Sequence, residues 1–197
     1  MIEYIIVCLL SVLAEVGLIF WFNKREPEYS LDIKRYGIVI AVADIAIMVL
    51  AVLLYSESVF PVVWYFGICS YLMCLCIYDF KYKELPDWFH LVPLLIYLYL
   101  FIQKDLPYSI ISGLITAFIV GMVLIVIFLI RKDAIGLGDI KVIVICSQYA
   151  GLAVVGVLIR GMIFAFLCSL VLLLFKKVNT KSGLPFVPFL LLGALFL

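Results

Sequence analysis

Two aspartates stand next to long apolar runs and have the chemistry of a catalytic pair. Asp139 follows Gly136-Leu137-Gly138 between two apolar runs, and Asp79 comes at the end of another. Hydrolysis of an amide bond requires a base that activates water and an acid that protonates the leaving amine. Two close carboxyl groups can serve as both, because repulsion between their charges keeps a proton on one of them. The two aspartates therefore indicate an aspartyl hydrolase at a membrane edge.

The glycines beside Asp139 predict an open approach to its carboxylate. Gly136 and Gly138 permit positive φ angles and close contact with another backbone, so an extended substrate would reach Asp139 without meeting a side chain. Simpler interpretations stay open at this point. Asp139 would then be an ordinary helix N-cap, and Asp79 a loop residue beside lysines.

Helix dipoles suggest which aspartate carries the shared proton. Asp139 is expected to open a helix, where the dipole favours negative charge, and Asp79 to close one, where the dipole disfavours it. We therefore expect Asp79 to be the protonated member of the pair.

The elements that position these aspartates are predicted to be membrane helices. Of the 197 residues, 68% are hydrophobic and 14% are charged, whereas a soluble domain has about 25% charged residues. The mean hydropathy is +1.33, and apolar runs of roughly 20 residues recur along the chain. The first run lacks a basic segment and a cleavage site, so we expect a retained helix, not a signal peptide. The net charge of +1 argues against a nucleic-acid partner.

We predict an all-α, polytopic membrane protein with about eight transmembrane helices. Pro86 disfavours helix at Leu85 and breaks the chain after the third helix. The turn between the sixth and seventh helices falls at Ala150-Gly151 or Arg160-Gly161, and the first leaves the seventh helix long enough to span. The predicted helices are 2–22, 36–54, 59–78, 88–102, 108–130, 139–149, 152–175 and 184–197. We divide them into two N-terminal helices with a short charged loop, residues 1–58, and a six-helix core, residues 59–197.

Lysine and arginine predict the orientation in the membrane. The alternate loops 23–35, 79–87, 131–141 and 176–183 hold every lysine and arginine except Lys104 and Arg160. Basic loops mark the cytoplasmic side, so Asp79 and Asp139 are expected at the cytoplasmic face of the cell membrane. Tyr78, which precedes Asp79, fits an aromatic anchor at the membrane interface.

The cysteine pattern predicts no metal site. The six cysteines all lie inside apolar runs and form no C-x-x-C pair, which is typical of small buried hydrophobic side chains. One histidine, His90, is a poor basis for a metal centre. We expect neither a metal nor another cofactor. The cysteines are Cys8, Cys69, Cys74, Cys76, Cys146 and Cys168.

Three short motifs, in order, resemble the type IV prepilin peptidase family of GxGD aspartyl peptidases. The first is Asp79 followed by Leu85-Pro86-Asp87, and the second is Gly136-Leu137-Gly138-Asp139-Ile140-Lys141, similar to GxGD-x-K. The third is Leu184-Pro185-Phe186-Val187-Pro188-Phe189-Leu190, similar to the family's terminal Pro-Phe-Gly-Pro-Phe-Leu run. The resemblance covers residues from about 59 to 197. It marks Gly136, Gly138, Lys141, Pro86, Pro185 and Pro188 as supporting motif residues.

The resemblance implies a peptidase that cuts the short basic leader from prepilin-like or pseudopilin substrates. Asp79 and Asp139 would be its catalytic residues, and its partners would be the prepilin and the lipid bilayer. Val187 replaces the family's usual glycine. The cysteine-bearing cytoplasmic loop of larger members, which is linked to zinc, is also missing. We therefore expect a peptidase without zinc and without the methyltransferase activity of larger members.

Two other functions stay open. A presenilin-like or signal-peptide-peptidase-like protease also pairs Tyr-Asp with GxGD, but its aspartates lie deeper and its terminal Pro-Ala-Leu motif is absent here. A transporter or proton channel would use Glu15, Asp44 and Arg160 as a path across the membrane, since charged residues inside a span are functional candidates. The simpler interpretation is that one carboxylate pairs with Arg160 or is protonated.

Overall fold

The computed structural model describes residues 2–55, 59–91, 93–94, 110–132, 135–175 and 184–196. Within those ranges the chain is all-helical and has no strand. Two short 3-10 helices, Pro27–Tyr29 and Asp87–His90, join the longer elements. The seven α-helices are α1 (Ile2–Arg25), α2 (Ile33–Tyr55), α3 (Val59–Tyr82), α4 (Ile110–Ile130), α5 (Leu137–Ala150), α6 (Ala153–Leu174) and α7 (Val187–Ala194).

Five of these helices are long and apolar enough to cross a membrane: α1, α2, α3, α4 and α6. Helix α5 has 14 residues and rises about 21 Å, which is less than the roughly 30 Å of a hydrocarbon core. Helix α7 has only eight residues. The predicted fourth helix, 88–102, begins with a 3-10 turn, and its residues 95–102 lie outside the described residues. The membrane-protein prediction is supported, but the eight predicted spans are not confirmed.

Two helix boundaries differ from the prediction in a way that matters for function. Helix α3 runs to Tyr82, so Asp79 lies in its last turn and not in a loop. Helix α5 begins at Leu137, so Asp139 lies in its first turn. The turn between α5 and α6 is at Ala150-Gly151, as predicted. Gly151 there has φ 52°, a left-handed conformation that glycine adopts without a Cβ penalty.

The chain forms two compact units, Met1–Ile77 and Tyr78–Leu197. In the first unit, α1 packs against α2, and the side chain of Asn23 closes the loop between them. Its Nδ2 donates to the Leu31 carbonyl at 2.6 Å and its Oδ1 accepts from the Leu31 N–H at 2.8 Å. In the second unit, α5 packs against α4, and α6 packs against α7. The unit boundary falls within α3, and the predicted division at residue 58 stays a prediction.

Helices α6 and α7 touch through their backbones. A Cβ on Gly193 would lie 2.3 Å from the Val157 carbonyl oxygen, and one on Gly161 would lie 2.9 Å from the Phe189 carbonyl oxygen. No side chain fits in so short a gap, so both positions require glycine. Arg160 donates from Nε to the Gly193 carbonyl at 3.1 Å, which satisfies a carbonyl in the last turn of α7. Arg160 therefore has a partner other than the carboxylate predicted for it.

Candidate active site

Asp79 is a buried carboxylate that binds the start of α7. It is 5% exposed, and its Oδ2 accepts the backbone N–H of Val187 at 2.9 Å. Val187 is the first residue of α7, where backbone N–H groups have no partner inside the helix. The positive end of the α7 dipole also favours a negative charge at this place. The third sequence motif therefore contributes a hydrogen-bond donor to the first.

The prolines of the third motif fit the start of a short helix. Pro188 lies in the first turn of α7, where its missing N–H costs no internal hydrogen bond. Val187 is fully buried and uses its backbone, not its side chain, to bind Asp79. The replacement of the family's usual glycine by Val187 therefore leaves this bond in place. Pro185 is partly buried just before the helix.

Asp139 is partly buried in the first turn of α5, outside the five candidate spans. Burial and the negative charge of Asp79 raise the pKa of Asp139 to about 6, against the opposing effect of a hydrogen bond with the Gly136 backbone. The two carboxylates therefore interact, as a catalytic pair requires. The N-cap of α5 is Gly136, so the interpretation of Asp139 as an ordinary N-cap is wrong.

The two glycines of the second motif provide room and not unusual backbone angles. Gly136 has φ −75° and ψ 147°, and Gly138 lies inside α5, so neither uses the positive φ that we expected. A Cβ on Gly136 would lie 3.2 Å from Oδ2 of Asp139, and a Cβ on Gly138 would lie 3.2 Å from Cδ1 of Leu85. The glycines bring the Asp139 carboxylate close to the backbone of its own motif and let Leu85 pack on α5. The space that we expected an extended substrate to use at Gly138 is filled by Leu85.

The first and second motifs also meet through an ion pair. Lys141 Nζ lies 2.5 Å from Asp87 Oδ1, with 48% and 72% of the two side chains exposed. Exposed pairs contribute about 0–1 kcal/mol, so this pair adds little stability and mainly fixes the position of the 3-10 helix that follows Pro86. Lys141 of the second motif therefore contacts a carboxylate of the first.

Aromatic packing holds the same segment from the other side. Tyr78 is fully buried, and its ring centroid lies 5.0 Å from that of Phe89. The interpretation of Tyr78 as an interfacial anchor is therefore wrong. At the far end of α5, the hydroxyl of Tyr149 donates to the Pro93 carbonyl. The segment from Leu85 to Pro93 is thus attached to α3 and to both ends of α5.

His90 is a buried residue of this segment that the sequence did not mark. It is 8% exposed, and burial, opposed by Asp87 and assisted by Lys141, lowers its pKa to about 4. The imidazole is therefore neutral at physiological pH and adds no positive charge beside the carboxylates. No group of three or more His, Cys, Asp or Glu side chains in the described ranges is arranged to hold a metal ion.

The structure brings most of the predicted motif residues together in the unit Tyr78–Leu197. Asp79 and Asp139 interact, and each is bound by a backbone group. Sequence analysis missed three contacts: Val187 N–H to Asp79, Leu85 to Gly138, and Asp87 to Lys141. Each contact joins residues from two different motifs. The presence of all three motifs in one chain was the signal that could have predicted that they meet. Glu15 and Asp44 belong to the other unit.

Asp79 is a buried carboxylate bound by the N-terminus of α7, and Asp139 has a raised pKa. The first has the properties of a general base and the second those of a general acid. The sequence profile of the type IV leader peptidase family matches residues 66–176. That range contains both aspartates and more than half of the chain. Comparison with curated proteins and with solved structures gives no match. The chain belongs to the type IV leader peptidase family, and with its membrane-span helices it is a membrane-type protease.

Proposed function

We propose that this protein is a membrane aspartyl endopeptidase that removes the leader peptide of type IV prepilin-like or pseudopilin substrates. Family membership supports leader-peptidase activity. The aspartic mechanism rests on one observation above all: Asp79 at the end of α3 and Asp139 at the start of α5 interact, while a third motif donates a hydrogen bond to Asp79. No observation favours the presenilin-like or transporter functions over this one.

In the proposed resting enzyme, Asp139 carries the proton and Asp79 is ionised. Burial and the Asp79 charge raise the pKa of Asp139 to about 6, whereas Asp79 accepts a backbone N–H at the start of α7. Our expectation from helix dipoles was the reverse, because it considered only the C-terminus of α3. The N-terminus of α7 supplies Asp79 with the stabilisation that the dipole of its own helix withholds.

The proposed reaction needs no group beyond the two carboxyls and water. Asp79 takes a proton from water while the water oxygen attacks the scissile carbonyl carbon. Asp139 gives its own proton to the carbonyl oxygen. The carbon–nitrogen bond then breaks as Asp79 passes its proton to the leaving amine. Asp139 recovers a proton from the hydroxyl of the tetrahedral intermediate, which restores the starting pair.

The cytoplasmic face is the proposed location of this reaction. The helix ends and connecting segments next to Asp79 and Asp139 contain Lys81, Lys83, Arg131, Lys132 and Lys141, and basic residues beside membrane spans favour the cytoplasmic side. The substrate that fits is a polypeptide with a short polar leader outside the bilayer and an apolar helix within it. Such a substrate presents its junction at the level of the membrane edge.

The direct experiment is cleavage of a purified prepilin by the purified protein in lipid nanodiscs. Asp79→Asn and Asp139→Asn should each lower the cleavage rate by at least about 100-fold, because each removes an acid–base group. Asp32→Asn is the matched control, since Asp32 is exposed and its Oδ1 accepts the backbone N–H of nearby Lys34 at 3.0 Å. If Asp79→Asn or Asp139→Asn cleaved at the rate of the control, the aspartic mechanism would be refuted.

We also propose that this short-loop enzyme cleaves without methylating its product. The segment from Asn23 to Arg35 contains no cysteine or histidine, so it cannot form a tetrahedral zinc site. Incubation with a prepilin and labelled S-adenosylmethionine should give cleaved product without label. Stoichiometric label on the new N-terminus would show that methyl transfer does not need the longer loop.

A further inference from the structure

The unit Met1–Ile77 contains a polar cluster that the proposed reaction does not use. Glu15 on α1 is 8% exposed and Asp44 on α2 is fully buried, and both lie inside candidate membrane spans. Ser70 on α3 donates from Oγ to Glu15 Oε1 at 2.5 Å, and Ser11 Oγ lies 3.0 Å from Ser70 Oγ. The Asp44 carboxylate faces both serines. Each of the three helices thus contributes to one cluster.

The cluster has too few hydrogen-bond donors for its oxygens. Each serine hydroxyl has one proton. Ser70 gives its proton to Glu15, so Ser11 must donate in the contact with Ser70. Among the described residues, the remaining oxygens, Glu15 Oε2 and Asp44 Oδ1 and Oδ2, have no hydrogen-bond partner. Three buried carboxylate oxygens therefore need donors that the two serines cannot provide.

Nearby charges do not compensate for this deficit. In the described ranges, neither carboxylate takes part in an ion pair. The titratable groups that face the pair are the thiols of Cys8 on α1 and Cys74 on α3, and a thiol offers no positive charge. Two bare carboxylates inside an apolar span would repel each other and would both lack hydration, which is strongly unfavourable.

The geometry favours a proton over a metal ion. Ser70 Oγ and Glu15 Oε1, at 2.5 Å, are joined directly by a hydrogen bond, so a proton and not a metal ion lies between these two atoms. Continuous α-helix surrounds Glu15, Asp44 and Ser70, so the nearby backbone carbonyls are already used in helix hydrogen bonds. Sodium sites in membrane proteins commonly draw on unwound backbone carbonyls, which this cluster lacks.

We propose that Glu15 and Asp44 form a proton-binding site that joins α1, α2 and α3 of the N-terminal unit. Each protonated carboxyl supplies a donor: one to the partner carboxyl and one to a serine oxygen that still has a free lone pair. The network is then neutral and its donors match its acceptors. Loss of these protons would place two repelling anions between three helices, so the packing of this unit depends on their retention.

Infrared spectroscopy of the full chain in lipid nanodiscs tests this inference. Glu15 is the buried glutamate of the described residues, and the catalytic pair consists of aspartates. Carbon-13 labelling of glutamate should therefore shift a protonated-carboxyl C=O band at neutral pH in the unmodified protein. Glu15→Gln should remove that band, Asp44→Asn should remove a second one, and Asp32→Asn should remove neither.

Two results would overturn the inference. One is the absence of any protonated-glutamate band at neutral pH in the unmodified protein, a measurement that does not depend on whether a variant folds. The other is disappearance of the band when sodium chloride replaces choline chloride, which would make the ligand Na⁺. Neither measurement involves peptide cleavage, so the result is independent of the proposed enzymatic function.

Discussion

Each of the two units contains a pair of carboxyl groups, and the pairs differ in the backbone around them. Asp79 and Asp139 lie in the last and first turns of their helices, and both have backbone hydrogen-bond partners. Glu15 and Asp44 lie in the middle of α1 and α2, and the hydrogen-bond donor to this pair is the Ser70 hydroxyl, which binds Glu15. Helix N-termini, here those of α7 and α5, offer free N–H groups, whereas helix interiors offer none.

This difference explains why only one pair suits acid–base chemistry. A carboxylate at a helix end can stay ionised because backbone N–H groups and helix dipoles stabilise its charge. The partner carboxyl then has a raised pKa and holds a proton, as Asp139 does with a pKa of about 6. A pair in mid-helix has no such support and is satisfied only when neutral.

Helix α3 contributes to both sites, because its Ser70 donates to Glu15 and its Asp79 is a member of the other pair. The candidate span of α3 is 72% buried inside the protein, compared with 11% for α6, and its mean hydropathy of 1.5 is lower than the 2.6 of α6. A span with polar residues must face protein and not lipid, since lipid offers no hydrogen bonds. The low hydropathy and the burial of α3 therefore have the same cause.

The largest expected effect separates the two pairs by activity. Asp79→Asn and Asp139→Asn should lose at least about 100-fold in cleavage rate, whereas Glu15→Gln and Asp44→Asn should cleave at nearly the wild-type rate. The amide variants keep the shape of the side chains, so differences report chemistry and not packing. If Glu15→Gln or Asp44→Asn lowered the cleavage rate as much as Asp79→Asn does, the proposed difference in role between the two pairs would be wrong.

A second prediction tests whether α7 must be held in place for catalysis. Gly193→Ala would put a Cβ 2.3 Å from the Val157 carbonyl oxygen, so α7 must move and carry the Val187 N–H away from Asp79. A displacement of about 1 Å can cost roughly 100-fold in rate, and we expect a loss of that order in kcat. Gly17→Ala is the control, because nothing lies within 4 Å of its Cβ position. Wild-type kcat in Gly193→Ala would mean that α7 does not position the site.

The smallest effect is expected at the exposed ion pair. Lys141→Met and Asp87→Asn each remove a contact worth at most about 1 kcal/mol, which corresponds to roughly fivefold in an equilibrium. Cleavage should therefore fall by no more than about that factor, and the charge-swapped double variant should recover it. A loss of cleavage rate as large as that of Asp79→Asn or Asp139→Asn would show that Lys141 or Asp87 contacts the substrate.

The sequence predicted the existence and order of the helices better than their ends. Apolar runs determine where a helix exists, and each observed span lies on a predicted one. The ends depend on tertiary contacts: α3 continues past Tyr78 because that residue packs against Phe89, not against lipid. That extension moves Asp79 from a loop into a helix.

The candidate site was predicted as a set of residues but not as an arrangement. Motif spacing selected Asp79 and Asp139, and the structure shows that they interact. The motifs could not show that Leu85 fills the space beside Gly138, or that the Val187 N–H binds Asp79. Both contacts join positions far apart in the chain, and a single sequence contains no record of distance. The proton assignment that we propose differs from the expected one for the same reason, since the sequence does not show that α7 reaches Asp79.

The pH dependence of kcat/KM for prepilin cleavage tests the central claim most directly. If Asp139 is the general acid, its protonated form is the active one. Its pKa of about 6 then requires kcat/KM to fall as the pH rises through that value. Asp87→Asn, which removes the exposed ion pair with Lys141, should give the same descending limb. A kcat/KM that rises through pH 6, or stays level there, would contradict the assignment of Asp139 as the protonated member of the pair.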